Sequence, residues 1–170
     1  VDLPADMLRD AGYVFNRIRQ LKSSGNYPGV TQLLLTRPRA TTPPLDQTKW
    51  IGELLSSAKG ADAASAVRIA ASVDDAFAPG TDVSRAPFKL RDDYTSLMWL
   101  GGTRSLNSLG DGNSAAPLFY RYGAAARTPQ TRSKGFYWAG RALATRGNAA
   151  EAARYFEMAA QYPDQFYGML

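Results

Sequence analysis

Apolar residues recur at intervals of three and four along most of the chain, the spacing that places them on one face of an α-helix. The clearest case is a pair of segments near the end of the chain, separated by Gly147-Asn148. Their apolar stripes are made of Phe136, Gly140, Leu143 and Ala144 in the first segment, and Ala149, Ala152, Ala153, Phe156, Ala159 and Ala160 in the second. Glycine tolerates a positive φ at a helix end, and asparagine can cap the next helix. The pattern predicts a helical hairpin.

The same pattern recurs upstream and predicts an all-α fold of four hairpins, turning near Gly25, Gly60, Gly110 and Gly147. A shift of 37 residues (147 − 110) superimposes the last two of these glycines. It also brings Phe119 onto Phe156 and the alanine pair 115–116 onto the pair 152–153. Tetratricopeptide repeats have a period of about 34 residues. We therefore expect a looser, tetratricopeptide-like array that stacks into a right-handed α-superhelix.

The array is interrupted once. Residues 1–75 are predicted to form hairpins one and two, and residues 76–90, which contain Pro79-Gly80 and Pro87, a loop. Residues 91–170 are predicted to form hairpins three and four and the start of a truncated helix. Tyr162-Pro163-Asp164 is predicted to separate that last helix from hairpin four, and Phe166 and Tyr167 are expected to pack back on hairpin four. The chain shows no signal peptide and reads as a processed or shortened fragment, with an exposed apolar patch at its end.

The amino-acid composition excludes several kinds of catalytic and metal site. The chain has 170 residues, 45% of them hydrophobic and 21% charged, which is typical of a globular domain. It has no cysteine and no histidine, so disulfides, thiol nucleophiles, histidine bases and the usual zinc sites are excluded. No cofactor or metal is expected. No apolar run approaches the about 20 residues needed to span a bilayer, so no membrane span is expected either.

The net charge of +5 is unevenly distributed. Residues 104–154 contain eight basic side chains against two acidic ones, a surplus of six (8 − 2). A basic surface would favour an anionic partner. The simpler alternative is that these are ordinary solvated faces of a helical array. Because the basic residues belong to no recognised nucleic-acid-binding module, we expect no nucleic-acid partner.

The candidate binding residues lie in the first helix of hairpin four. Tyr137 and Trp138 are adjacent in sequence, so they cannot share one core-facing stripe, and one of them should be partly exposed. An exposed aromatic ring beside Arg132, Lys134 or Arg141 would form a contact surface. Further aromatic residues considered for such platforms are Tyr120, Tyr122, Tyr155 and Phe156. The aromatic residues expected in the core are Phe119, Phe136 and Phe156.

The end of the chain resembles the soluble lytic transglycosylases. The resemblance rests on Phe136-Tyr137-Trp138-Ala139-Gly140-Arg141-Ala142, Gly147, Glu151-Ala152, Tyr155-Phe156, Ala159-Ala160, Tyr162-Pro163 and Phe166-Tyr167-Gly168. It extends from about Tyr94 onward, and the first ninety residues are compatible with it without being distinctive. In that family this segment closes an α-superhelical domain shortly before a lysozyme-like catalytic domain. The resemblance implies a periplasmic, Gram-negative protein whose partners are a peptidoglycan glycan strand and its own C-terminal catalytic domain.

Catalysis by this chain itself is not expected. The family cleaves between N-acetylmuramic acid and N-acetylglucosamine, leaves a 1,6-anhydro end, and uses one glutamate followed by serine. The three glutamates here, Glu53, Glu151 and Glu157, are followed by other residues, and the family's Gly-Leu-Met-Gln segment is missing. The adjacent carboxylates Asp74-Asp75 and Asp92-Asp93 cannot oppose one another across a substrate as glycosidase carboxylates do. No catalytic residue is therefore assigned.

Two functions stay open at this point. The first is the non-catalytic superhelical domain of a periplasmic lytic transglycosylase, which scaffolds the catalytic domain and helps bind or guide peptidoglycan during cell-wall turnover. The second is a tetratricopeptide-like adaptor that binds a peptide or protein partner. A downstream Glu-Ser followed by Gly-Leu-Met-Gln would decide for the first.

Overall fold

The structure is a computed structural model that describes residues 6–162. Within that range the chain forms eight α-helices: α1 (Ala11–Ser23), α2 (Tyr27–Thr36), α3 (Gln47–Gly60), α4 (Ala63–Ala71), α5 (Phe88–Thr103), α6 (Gly112–Ala125), α7 (Pro129–Ala144) and α8 (Ala149–Ala160). Three short 3-10 helices are present at Met7–Arg9, Val73–Ala76 and Val83–Arg85, and a π-helical turn, Arg104–Ser108, follows α5. The β-type pairing in this range is an isolated bridge between Asp10 and Thr42, outside the hairpins. The predicted all-α fold is confirmed.

Three of the predicted turns share a two-residue signal, a glycine followed by asparagine or aspartate. Gly25, Gly110 and Gly147 have φ values of 74°, 63° and 73°, a region that favours glycine and ends the preceding helix. The next residue then caps the following helix by accepting a backbone N–H. These cap bonds run from Gly29 to Asn26 (2.9 Å), from Ser114 to Asp111 (3.0 Å) and from Glu151 to Asn148 (3.4 Å). The fourth turn differs, since Gly60 is the last residue of α3 and Asp62 caps α4.

The spacing of Met7, Ala11, Val14, Ile18 and Leu21 predicts a first helix from Asp6 to Lys22, and its start differs in the structure. The first long helix begins at Ala11 instead of Asp6, because the Asp10 carboxylate accepts the N–H groups of Gly12 (2.8 Å) and Tyr13 (3.3 Å) and so fixes the cap there. Met7, which the helical spacing predicted to face inward, is consequently 39% exposed.

The segment predicted as a loop at residues 76–90 is shorter than expected. The 3-10 helix Val83–Arg85 lies inside it, and Val83 is buried. Helix α5 starts at Phe88, because Pro87 occupies the N-cap position, where proline disrupts no intrahelical hydrogen bond. The truncated helix expected after Pro163 lies outside the described residues.

The buried residues form two clusters that meet at α6. The larger one joins α1 to α5 around Trp50, Ile51 and Leu54. The smaller one joins α5 to α8 and combines small alanines with large aromatic rings. Neighbouring residues of α6 belong to different clusters, Leu118 to the larger and Phe119 to the smaller. Helices α5 to α8 pack mainly on their neighbours in the chain, as expected for stacked hairpins.

Two of the three predicted core phenylalanines are fully buried. Phe119 is 1% exposed and Phe136 3%, whereas Phe156 is only half-buried. The expectation for Phe156 is met only in part: its ring packs against the smaller cluster but stays partly exposed, because α8 packs mainly against α7. For the same reason Ala152 and Ala159 are buried, while the other alanines of the predicted α8 stripe are exposed.

Candidate ligand-binding surface

Helix α7 brings four of the five candidate residues onto one face. Lys134, Tyr137, Trp138 and Arg141 are spaced i, i+3, i+4 and i+7, so their side chains leave the helix within one narrow sector. Arg132 lies on the opposite side of the helix. The sequence expectation that one of Tyr137 and Trp138 is partly exposed understates the result, since both are half-buried.

Arg132 has a structural role. Its Nε donates to the Tyr162 hydroxyl at 2.8 Å, and its Nη1 donates to the carbonyls of Ala124 (3.1 Å) and Ala126 (3.0 Å). Its guanidinium also lies 5.6 Å from the centroid of the Phe136 ring. These contacts join the end of α6 to α7 and occupy the guanidinium with the protein's own groups. We therefore exclude Arg132 from the candidate surface.

Six aromatic rings form a continuous row across α5, α6, α7 and α8, here called the aromatic row. Its successive centroid distances are 5.0 Å for Tyr122–Trp99, 5.3 Å for Trp99–Phe119, 6.2 Å for Phe119–Trp138, 5.7 Å for Trp138–Tyr137 and 5.7 Å for Tyr137–Phe156. All lie in the range of favourable aromatic contacts. Phe119 is buried and anchors the row, whereas the other five rings each leave part of their surface accessible.

Two cations lie against the aromatic row. Lys134 Nζ is 4.0 Å from the centroid of the Trp99 ring and 5.6 Å from that of Tyr122. The Arg141 guanidinium is 5.8 Å from Tyr137 and 5.7 Å from Trp138, and its Nη1 donates to the Tyr137 hydroxyl at 2.9 Å. Each cation–π contact stabilises by about 0.5–1 kcal/mol at such sites. Neither cation forms an ion pair with a carboxylate of the described residues, so both positive charges are available to an anionic ligand.

The row opens at one end into a groove of about 560 Å³. Its walls include Phe88, Trp99, Tyr122, Thr128 and Thr131, which supply aromatic faces together with hydroxyl groups. Phe88 at the rim is 70% exposed. The volume falls within the range of small-ligand sites, and such sites combine apolar walls with a few polar groups in this way.

The sequence indicated part of this surface. Tyr122 was among the aromatic residues considered, but Trp99 and Phe88 were not, because they come from α5 and reach α7 only through helix packing. Tyr120, also considered, lies elsewhere, with its ring 5.8 Å from Phe136 and 5.9 Å from Tyr155.

Two of the three glutamates are held in ion pairs outside the aromatic row. Glu53 pairs with Lys22 at 2.6 Å, and Glu151 pairs with Arg154 at 3.1 Å. Among residues 6–162 no group of three or more acidic, histidine or cysteine side chains is placed to hold a metal ion. No helix in the same range has the length and hydropathy to cross a membrane.

Comparison with known proteins identifies no relative of this chain. No protein-family model, no curated protein and no solved structure matches this chain. The class that the structure itself defines is an all-α helical array with an aromatic, positively charged surface. A more specific functional assignment therefore depends on the residues of this chain alone.

Proposed function

We propose that this chain is the non-catalytic superhelical part of a soluble lytic transglycosylase and that it binds a peptidoglycan strand along the aromatic row. The observation that supports this most is the position of the residues behind the family resemblance. Tyr137, Trp138 and Arg141 belong to the resembling segment, and they form the part of the row that α7 presents to solvent. A motif that only stabilised the hairpin would not need rings that remain partly accessible to solvent.

The chemistry of the row suits a glycan with charged substituents. The two faces of a sugar ring differ in polarity, and the C–H-rich face packs on an aromatic ring while the hydroxyls at its edge bond to water or to side chains such as Thr131. The stem peptides of peptidoglycan carry carboxylates, and a lactyl group carries one where its stem peptide has been removed. Lys134 and Arg141 lie within the row, where each can meet such a carboxylate with a charge-assisted hydrogen bond.

Several further features belong to this proposal. The hairpins continue into a right-handed superhelix, the catalytic glutamate resides in a C-terminal domain that docks on this one, and the protein works in the periplasm of a Gram-negative bacterium. In this arrangement the chain holds the strand while the other domain cuts it. The chain alone releases no 1,6-anhydro muropeptides from purified sacculi.

A tetratricopeptide-like adaptor is the second candidate, and the groove beside Trp99 favours it. A groove between stacked helices, with hydroxyls from Thr128 and Thr131 and an exposed Phe88, also suits an extended peptide. An adaptor would bind peptide without any requirement for sugar.

Co-sedimentation with purified sacculi tests the proposal. The wild-type chain should pellet with sacculi, and also with glycan strands from which an amidase has removed the stem peptides, although more weakly in the second case. Tyr137→Ala and Arg141→Ala should each reduce the bound fraction. Arg154→Ala is the matched control, since it removes one exposed arginine that pairs with Glu151 outside the row, and it should bind like the wild type.

The outcomes are distinct. Absence of wild-type binding to sacculi would overturn the peptidoglycan proposal. Binding that disappears completely with the stem peptides would favour the peptide-binding adaptor. Equal loss in Arg154→Ala and Arg141→Ala would show that net charge alone explains the effect, and the aromatic row would then have no special part in it.

A further inference from the structure

A second cavity, of about 420 Å³, lies away from the aromatic row and has a different chemistry. It lies where the chain leaves α2, beside the end of α4, and one side of α6 closes it. Four arginines contribute to its walls, and two aspartates accompany them. The charged residues that line it are Arg37, Arg39, Arg68, Arg121, Asp74 and Asp75.

The most deeply buried charged residues of the cavity, Arg37 and Asp75, neutralise one another. Arg37 binds Asp75 in a bidentate manner, Nη1 to Oδ2 at 2.6 Å and Nη2 to Oδ1 at 3.1 Å, and both side chains are 4% exposed. The backbone N–H of Ala40 also donates to Asp75 Oδ2 at 2.9 Å, and the Arg37 guanidinium lies 5.3 Å from the Trp50 ring. This pair forms a fixed, neutral floor and leaves no charge for a ligand.

The second aspartate is also occupied. Arg121 Nε lies 3.3 Å from Asp74 Oδ2, and the Tyr94 hydroxyl donates to Asp74 Oδ1 at 2.8 Å. Arg121 Nη1 donates in addition to the carbonyl of Ala71, the last residue of α4, at 3.3 Å. Asp74 therefore neutralises Arg121 and holds it at the cavity wall.

Two arginines remain without a carboxylate. Arg68 Nη2 donates to the carbonyl of Leu35 at 3.0 Å, which leaves the other nitrogens of its guanidinium uncommitted. Arg39 is exposed and makes no ion pair, hydrogen bond or ring contact with another residue of the range 6–162. Counting four arginines against two aspartates gives +2 (4 − 2). The carboxyl ends of α2 and α4 each contribute about −0.5, which leaves about +1.

A purely structural role accounts for three of the four arginines but not for Arg39. Arg37 and Arg121 bind the two aspartates, and Arg68 satisfies a helix-end carbonyl, as arginines near helix ends commonly do. Arg39 has no such role, yet it lies on the same concave surface. The guanidinium group binds oxyanions through paired, parallel N–H donors, and a concave site with surplus arginines is the arrangement used to recognise phosphate or carboxylate.

We propose that this cavity is an oxyanion-binding site, in which Arg39 and Arg68 bind one phosphate or carboxylate group beside the fixed Arg121–Asp74 pair. The Arg37–Asp75 pair forms the floor of the site, and the surplus positive charge favours an anion over a cation. This inference is independent of peptidoglycan binding, because it shares no residue with the aromatic row. It assigns a function to the first half of the chain, where the family resemblance implies none.

The test uses the full chain and two simple probes, inorganic phosphate and acetate, each titrated against sodium chloride at equal ionic strength. Side-chain Nε–Hε resonances of the arginines are followed by NMR. We expect saturable shifts for Arg39 and Arg68 with at least one probe. Arg39→Gln, which breaks no contact of the described residues, should weaken binding about tenfold, the effect of losing one charge-assisted hydrogen bond.

The matched control is Arg154→Gln, which lowers the net charge equally and lies on α8. It should bind both probes like the wild type. Saturation by phosphate alone, by acetate alone or by both would identify a phosphate site, a carboxylate site or a general oxyanion site, respectively. Shifts that fail to saturate, or an affinity that Arg39→Gln and Arg154→Gln reduce equally, would overturn the proposal and indicate non-specific attraction only.

Discussion

Helices α6 and α7 approach closely at a pair of glycines, and replacing one of these glycines should separate the helices. Helices α6 and α7 meet at Gly123 and Gly135. A Cβ atom added to Gly135 would lie 2.6 Å from Gly123 Cα and 2.8 Å from the Phe119 carbonyl oxygen. Both are backbone atoms, so no side-chain rotation can relieve the overlap. In Gly135→Ala the whole of α7 must move away from α6.

Two opposing effects determine how much the free energy of unfolding falls in Gly135→Ala. Alanine in place of glycine inside a helix favours folding by about 1 kcal/mol. Overpacking of a well-packed contact typically costs about 1–3 kcal/mol, and the backbone overlap here places the substitution at the upper end. We therefore expect Gly135→Ala to lower the free energy of unfolding by about 1–2 kcal/mol. The displacement of α7 should also lengthen the 4.0 Å contact between Lys134 and Trp99.

Urea unfolding followed by far-ultraviolet circular dichroism measures this loss. Gly60→Ala is the matched control, because a Cβ at Gly60 meets no atom within 4 Å and the backbone there is helical. The control should be as stable as the wild type or slightly more so. If Gly135→Ala unfolds at the same urea concentration as Gly60→Ala, an added Cβ at Gly135 causes no overlap. The contact between α6 and α7 would then be less close than described here, and this prediction would be wrong.

Two further predictions concern buried polar groups. Asp75→Asn should reduce the free energy of unfolding by about 3–5 kcal/mol in urea titrations, because it leaves the 4%-exposed Arg37 guanidinium without its counter-charge; a loss below about 1 kcal/mol would contradict the buried pair. Burial and the charge of Asp74 raise the pKa of Tyr94. The stabilisation from its neutral hydroxyl is therefore complete below the unfolded pKa of about 10 and declines as the pH rises above it. Tyr94→Phe should lose stability less steeply than the wild type above that pH, and identical slopes would refute the assignment.

The features that the sequence predicted are local ones. Gly25-Asn26 and Gly147-Asn148 could be recognised because one residue ends a helix and the next starts another, and both effects involve backbone groups within a few positions. Met7 shows the limit of periodicity. Its spacing fits the stripe of α1, but the cap at Asp10 interrupts the helix before that residue can join it.

The binding features were predictable only on α7. Lys134 and Arg141 share a face of one helix, which spacing reveals. Trp99, the partner of Lys134, comes from α5, and its position depends on how the hairpins stack. The pairing of Arg37 with Asp75 spans 38 residues, and no periodic signal marks it. The sequence excluded Asp74-Asp75 only as a pair of opposed catalytic carboxylates and did not reveal that each carboxylate holds a different arginine.

Helix α6 connects the two proposed sites, and this determines which residues can test them separately. Arg121 lines the arginine cavity, while the next residue, Tyr122, belongs to the aromatic row. Consecutive residues of a helix point about 100° apart, so the two sites lie on different sides of the same element. A substitution that displaces α6 as a whole would disturb both sites and could not distinguish their functions. Arg39, in the segment after α2, and Arg141, on α7, each affect one site alone, so each proposal can fail without the other.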